Sequence, residues 1–105
     1  MGAQQFITYS EHTDIRAAFD AAVEDAQHEY GHGGYTGSIA EKDAYTIITA
    51  DPIGETAADT LIDDLFDAQD PRIDDKHGPA GAIAIADTDN PARIAGWVFF
   101  GWAAS

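Results

Sequence analysis

His28-Glu29-Tyr30-Gly31-His32-Gly33-Gly34-Tyr35-Thr36-Gly37 is the stretch on which the reading of this chain turns. Before it, Ile15, Ala18, Phe19, Ala22, Val23 and Ala26 recur at helical spacing and make one apolar stripe. Asp20, Glu24, Asp25 and Gln27 fall elsewhere on the circumference. The spacing predicts a helix from about Asp14 to Tyr30, capped by Ser10 or Thr13, with Asp14 in the first turn. Gly31, Gly33 and Gly34 then stop it. Earlier still, Phe6-Ile7-Thr8-Tyr9 is β-branched and aromatic and reads as the first strand.

After the glycines, Ser38-Ile39-Ala40-Glu41 and Ala44-Tyr45-Thr46-Ile47-Ile48-Thr49 flank Lys42-Asp43 and read as a hairpin. Asp51-Pro52-Ile53-Gly54 reads as a turn. Ala57, Leu61, Ile62, Leu65 and Phe66 give an apolar face to a second helix, from about Thr56 to Ala68. Gln69 to Gly81 is a long loop rich in Asp, Pro and Gly, a type that often carries function. Ala82 to Ala86 is a strand, and Asp87-Thr88-Asp89-Asn90-Pro91 turns the chain. Ile94 to Trp102 is the last strand, with Ile94, Val98, Phe100 and Trp102 on one face and Trp97 and Phe99 on the other. The expected order is β-α-β-β-α-β-β, a single α+β domain with two helices packed on a mostly antiparallel sheet. Both faces of the last strand are bulky and apolar, so both must be covered. Two helices on one face would leave an aromatic face for self-association, and a homodimer is the expected assembly.

Composition narrows the function classes. The 105 residues suffice for one domain, and 45% hydrophobic content supports a packed core. No run of about 18 apolar residues offers a membrane span, and the first residues do not have the pattern of a signal peptide. Cysteine is absent, so disulfides and thiolate chemistry are excluded. Nineteen acids face five basic residues, for a formal net charge of −14. The acids are spread along the chain rather than gathered in a tail. That favours a protein of a molar-salt cytoplasm, where charges are screened within about 3 Å, over an acidic partner for a basic protein. Five dispersed cations build no basic stripe for nucleic acid.

His28-Glu29-x-x-His32 has the zinc-protease spacing, in which two histidines share a helix face and the Glu activates bound water. Gly31 breaks the helix inside the motif, and the positions of the extended form's distal glycine and third histidine are Tyr35 and Ser38. A divalent metal would need His32 with His77 or Glu41. The segment Gly31 to Gly37 also has the composition of an anion nest, but it follows a helix, whose dipole opposes an anion there. The plainer reading is a helix-to-strand connection that needs positive φ at several places.

Gly31-His32-Gly33-Gly34-Tyr35-Thr36-Gly37-Ser38-Ile39-Ala40-Glu41-Lys42, with Asp75-Lys76-x-Gly78-Pro79-Ala80-Gly81 later, resembles a group of small proteins of haloarchaea, bacteria and their phages that have no assigned activity. The resemblance runs from Phe6 to the last strand. It implies a small intracellular α+β domain, and it directs attention to His32, Gly33, Gly34, Tyr35, Thr36, Glu41 and Lys42. The expected function is a cytoplasmic, self-associating binding or accessory module of a halophile. The alternative is a small metal-dependent hydrolase using His32, Glu41 and His77, with the glycine segment and the His77 loop meeting at one pocket.

Overall fold

The computed structural model describes residues 2–31 and 34–105. In chain order the elements are β1 (Ala3–Ser10), α1 (Ile15–Tyr30), a 3-10 turn (Ile39–Glu41), β2 (Tyr45–Ile53), α2 (Glu55–Asp67), β3 (Ala80–Ala86) and β4 (Ile94–Ala104). The strands form one sheet in the order β1-β4-β3-β2. β4 lies antiparallel between β1 and β3, while β2 and β3 are parallel and joined through α2. The α+β class, with two helices and one mostly antiparallel sheet, therefore holds.

The helices cover opposite faces. α1 places Ala18, Phe19, Ala22 and Ala26 over Trp97, Phe99 and the alanines Ala80, Ala82 and Ala84 of β3. α2 places Ala58, Ile62 and Leu65 over Ile83, Ile85, Val98 and Phe100. The period-two alternation of β3 is thus a division of labour: small residues lie under α1 and isoleucines lie under α2. Phe99 and Phe100 are both fully buried. Phe19 meets Phe99 edge-on at 5.4 Å, and Phe66 meets Phe100 the same way at 5.9 Å. A Cβ at Gly81 would stand 2.7 Å from Ile73 and 2.8 Å from the Phe100 ring, so a glycine is needed opposite Phe100. The Trp97 indole donates to the Thr13 carbonyl at 2.8 Å and fixes the start of α1 to β4.

Several expectations are corrected. Ser38–Glu41 is no strand, because β2 pairs only with β3 and the Ser38 hydroxyl caps a 3-10 turn by accepting from the Ala40 amide at 3.2 Å. Such local side-chain bonds compete with a ladder. Asp51-Pro52-Ile53 continues β2 rather than turning, which an edge strand tolerates because its outer amides need no partner. The cap of α1 is Asp14, whose carboxylate accepts from the Ala17 amide at 2.9 Å. Ile94 packs with Trp97 instead of Val98. β3 pairs Ile85 with Gly96 but Ala86 with Ile94, so one extra residue on β4 flips the face. Finally, β4 is an interior strand covered on both faces, so Trp97, Phe99 and Phe100 are buried within the chain rather than left as an exposed aromatic face.

Phe99→Ala is expected to lower stability by about 3–5 kcal/mol through lost burial and a cavity. Ile47→Ala, at an apolar position that is 47% exposed, is expected to lower it by less than about 1 kcal/mol. Urea melts of the two variants in molar KCl check this; equal losses would contradict the placement of the core.

Candidate functional site

α1 ends at Tyr30, and Gly31 turns the chain with φ 89° while its amide donates to the Gln27 carbonyl at 2.8 Å. His28 is exposed on the last turn of α1, 3.9 Å from the carboxylate of Glu24 one turn earlier. The helix that would have to present both histidines of the zinc-protease pattern thus stops between them. His32 and Gly33 lie outside the described residues, and with them one histidine of each metal set expected from the sequence.

Beyond them the chain folds back on Glu41. Gly34, Tyr35 and Gly37 all have positive φ, 76°, 57° and 71°. One Glu41 oxygen accepts from the Tyr35 amide at 3.0 Å. The other accepts from the Thr36 amide at 3.1 Å and the Thr36 hydroxyl at 2.8 Å. Thr36 has a single O–H, directed at this carboxylate, so the 2.7 Å contact between the two hydroxyls requires Ser38 to donate to Thr36. Ser38 in turn accepts from Ala40, and the Gly37 amide donates to the Ala104 carbonyl at 2.8 Å, pinning the loop to the end of β4. The positive φ of Gly37 calls for glycine, and a Cβ there would also press on the Gln4 side chain. Partial burial pushes the Glu41 carboxyl up, but the bonds from Thr36 and Tyr35 outweigh it and hold the group below the usual carboxylate range.

Lys42 reaches the other way. Its side chain is 4% exposed, and its ammonium donates to the carbonyls of Gly78 at 2.8 Å, Lys76 at 3.2 Å and Asp75 at 3.4 Å. Three N–H groups meet three carbonyls, so the ammonium is satisfied without a carboxylate ligand. Burial lowers its basicity, and the nearby Asp75 charge opposes that shift. The turn it holds is closed by Asp75, whose carboxylate accepts from the His77 amide at 2.8 Å and whose carbonyl accepts from the Gly78 amide at 2.9 Å. The His77 side chain itself is exposed.

The structure therefore joins Glu41 to Tyr35 and Thr36, and Lys42 to the loop of His77. Among the described residues, no group of three His, Asp or Glu is placed to hold a metal ion. No helix of the described residues is long and apolar enough to cross a membrane. Two partners that complete the arrangement lie outside the residues expected from the sequence: the Ser38 hydroxyl, and the carbonyls of Asp75, Lys76 and Gly78. A Ser two residues before an amide it can cap was the available signal for the first; a backbone acceptor leaves no signal.

Small hollows flank this clasp. One of 140 Å³ is bordered by Gln27, Gly31, Gly34, Ala40 and Glu41. A wider, open one of 540 Å³ runs along α1 from Arg16 and Phe19 to His28 and is floored by Lys42 and Asp43. Compared with protein-family models, curated proteins and solved structures, the chain finds no match.

The folded Glu41 carboxyl is a stronger acid than the unfolded one. The unfolded chain therefore takes up more protons as pH falls, and the stability contributed by Glu41 is full above its unfolded value of 4.5 and lost below it as pH drops through the folded value. The melting-point gap between wild type and Glu41→Gln is expected to be largest near neutral pH and to shrink toward pH ~3. Thermal melts across that range check it; a constant gap would contradict it. Lys42→Met is expected to cost about 2 kcal/mol and to speed hydrogen exchange at His77 and Gly78. Unchanged exchange at both amides would contradict the clasp.

Proposed function

We propose that this protein is a non-enzymatic, acidic binding module that works in a cytoplasm of molar salt. The observation that carries this reading is the fate of the polar residues in the glycine segment. Glu41 and Lys42 are both committed to backbone groups of loops, and each holds a loop in place rather than facing a ligand. On this reading the segment Gly31 to Lys42, which resembles that of the haloarchaeal and phage proteins, is a signature of the fold.

The charge supports the salt reading. None of the nineteen acids is buried. Among the described residues, the Arg and Lys ion pairs are three: Arg16 with Asp20, Arg72 with Asp70, and Arg93 with Asp87. Most acids therefore repel one another unless ions screen them. The alternative, a metal-dependent hydrolase built on His32, Glu41 and His77, would have to work through the one acceptor site that the bonds from Tyr35 and Thr36 leave on the Glu41 carboxylate, or displace those bonds.

Two measurements test this. Titration calorimetry with zinc, manganese and nickel is expected to give the same heats for wild type, His32→Ala and His77→Ala; saturable heat lost in either variant would overturn the non-enzymatic reading. The melting point is expected to fall steeply as KCl is reduced from molar levels to below about 0.1 M, where the screening length reaches about 10 Å. A melting point unchanged across that range would overturn the salt reading.

A further inference from the structure

β1 and β2 are the two edges of the sheet, and only one is defended. β2 carries Asp51 and Pro52 and pairs with β3 through two register irregularities. Charge, proline and bulges are the devices that keep an edge from pairing with a further strand. β1 has none of them. Its sequence from Ala3 to Ser10 contains no charged residue and no proline, and its eight pairs with β4 run without a shift. In a chain with 23% charged residues, an uncharged, regular edge strand is a specific departure.

The space beside this edge is shaped for an extended segment. Two adjoining hollows, 280 and 390 Å³, run between β1 and α1. They share Thr8, Ala22 and Asp25, so they form one trough along the strand. On the α1 side the wall is low because Ala21, Ala22 and Ala26 carry small side chains; Asp25 and Glu29 of α1, with Glu11 just beyond β1, supply the charge of the trough, and no Lys or Arg lines it. On the other face of β1, Ile7 and Tyr9 are 56% and 45% exposed, because α2 covers β3 and β4 but stops short of β1. They border a hollow of 320 Å³ floored by Ala58, Ile85 and Val98 and rimmed by Glu55 and Asp59. Burial, and then Glu11, Glu55 and Asp87, push the Tyr9 phenol above its ordinary value, in keeping with an acidic setting.

We infer that the outer edge of β1 is a docking site for one extended segment of a partner protein, which joins the sheet as a fifth strand and alternates basic and apolar side chains. The alternation follows from the pleat, which sends successive side chains to opposite faces. Basic residues meet Asp25 and Glu29 in the trough, and apolar residues cover Ile7 and Tyr9. A second copy of this chain fits less well, since its own α1 would bring Asp25 and Glu29 against their counterparts across the contact. This inference names the partner chemistry of the binding module proposed above and rests on that reading.

The test uses the whole chain at the lowest KCl concentration that preserves its native circular-dichroism spectrum. The probes are capped peptides of about eight residues, a usual strand length: alternating lysine and valine, alternating glutamate and valine, and the first with a central proline. The lysine–valine peptide is expected to bind saturably and to slow hydrogen exchange within Gln4 to Ser10, with the other two at least about tenfold weaker. The double variant Asp25→Lys, Glu29→Lys, changed at exposed helix positions, is expected to lose about tenfold; Asp64→Lys, Asp67→Lys, at exposed α2 positions that line none of these hollows, is expected to bind as wild type. Equal binding of the lysine and glutamate peptides overturns the inference, as does absence of saturable binding by the natively folded protein. A dimer in light scattering that Ile7→Lys dissolves also overturns it, because the edge then belongs to a second copy. Each of these failures is separate from the metal titrations, which test the metal-dependent alternative.

Discussion

Burial of β4 on both faces is the constraint from which the rest of the structure follows. Trp97 and Phe99 point one way and Val98 and Phe100 the other, and all four are buried. Fully burying each such side chain contributes on the order of 2–3 kcal/mol, which no edge position or single covering layer can supply to both faces. β4 is accordingly an inner strand, and each face has its own helix. β1 and β2 then stand at opposite edges, so the chain between them must cross the sheet. The long connection after α1 is its consequence. The backbone groups of such a connection need partners, and Glu41, Ser38 and Lys42 provide them.

The elements that pack were legible in the sequence, because periodicity records burial. The stripe from Ile15 to Ala26, the face of α2 from Leu61 to Phe66 and the alternation of β3 and of β4 beyond Ile94 survive in the structure, while Ala57, expected on that face, is exposed and Ala58 is buried in its place. The failures lie where a short-range bond or an edge position overrides the pattern. Ser38-Ile39-Ala40-Glu41 has strand-like composition, but two of its four side chains bond to nearby backbone amides instead. Asp51-Pro52 reads as a turn because it breaks a central strand, yet β2 is an edge. Which face each helix takes was not legible, since a stripe says that a helix is covered but not by which side of the sheet.

The candidate site shows the same limit more sharply. Tyr35, Thr36 and Glu41 meet in one loop, while Lys42 reaches away from them to the turn of His77. A carboxylate and an ammonium beside glycines look alike in sequence whether they face a ligand or their own backbone. The difference is one of hydrogen-bond accounting. Glu41 accepts three bonds from a loop in which Gly34, Tyr35 and Gly37 have positive φ, and Lys42 has a carbonyl for each N–H. The glycines that make this segment conspicuous serve the backbone, whose amides can point at one carboxylate only in that conformation.

An acidic surface and an undefended strand edge are compatible for a physical reason. The ordinary danger of a bare edge is pairing with copies of the same chain. A copy here carries −14, and α1 places Asp25 and Glu29 beside the trough at the edge, so self-pairing is opposed both at long range and locally. At 1 M salt the long-range part fades, because charges are screened within about 3 Å. What remains is contact chemistry: the acids of α1 near the incoming backbone, and Ile7 and Tyr9 on the opposite face. Selectivity at β1 in such a medium therefore rests on side chains within touching distance of the added strand. The same acids that disfavour a second copy favour a segment with a basic residue at every other position, and β1 needs no lysine or proline of its own to remain free.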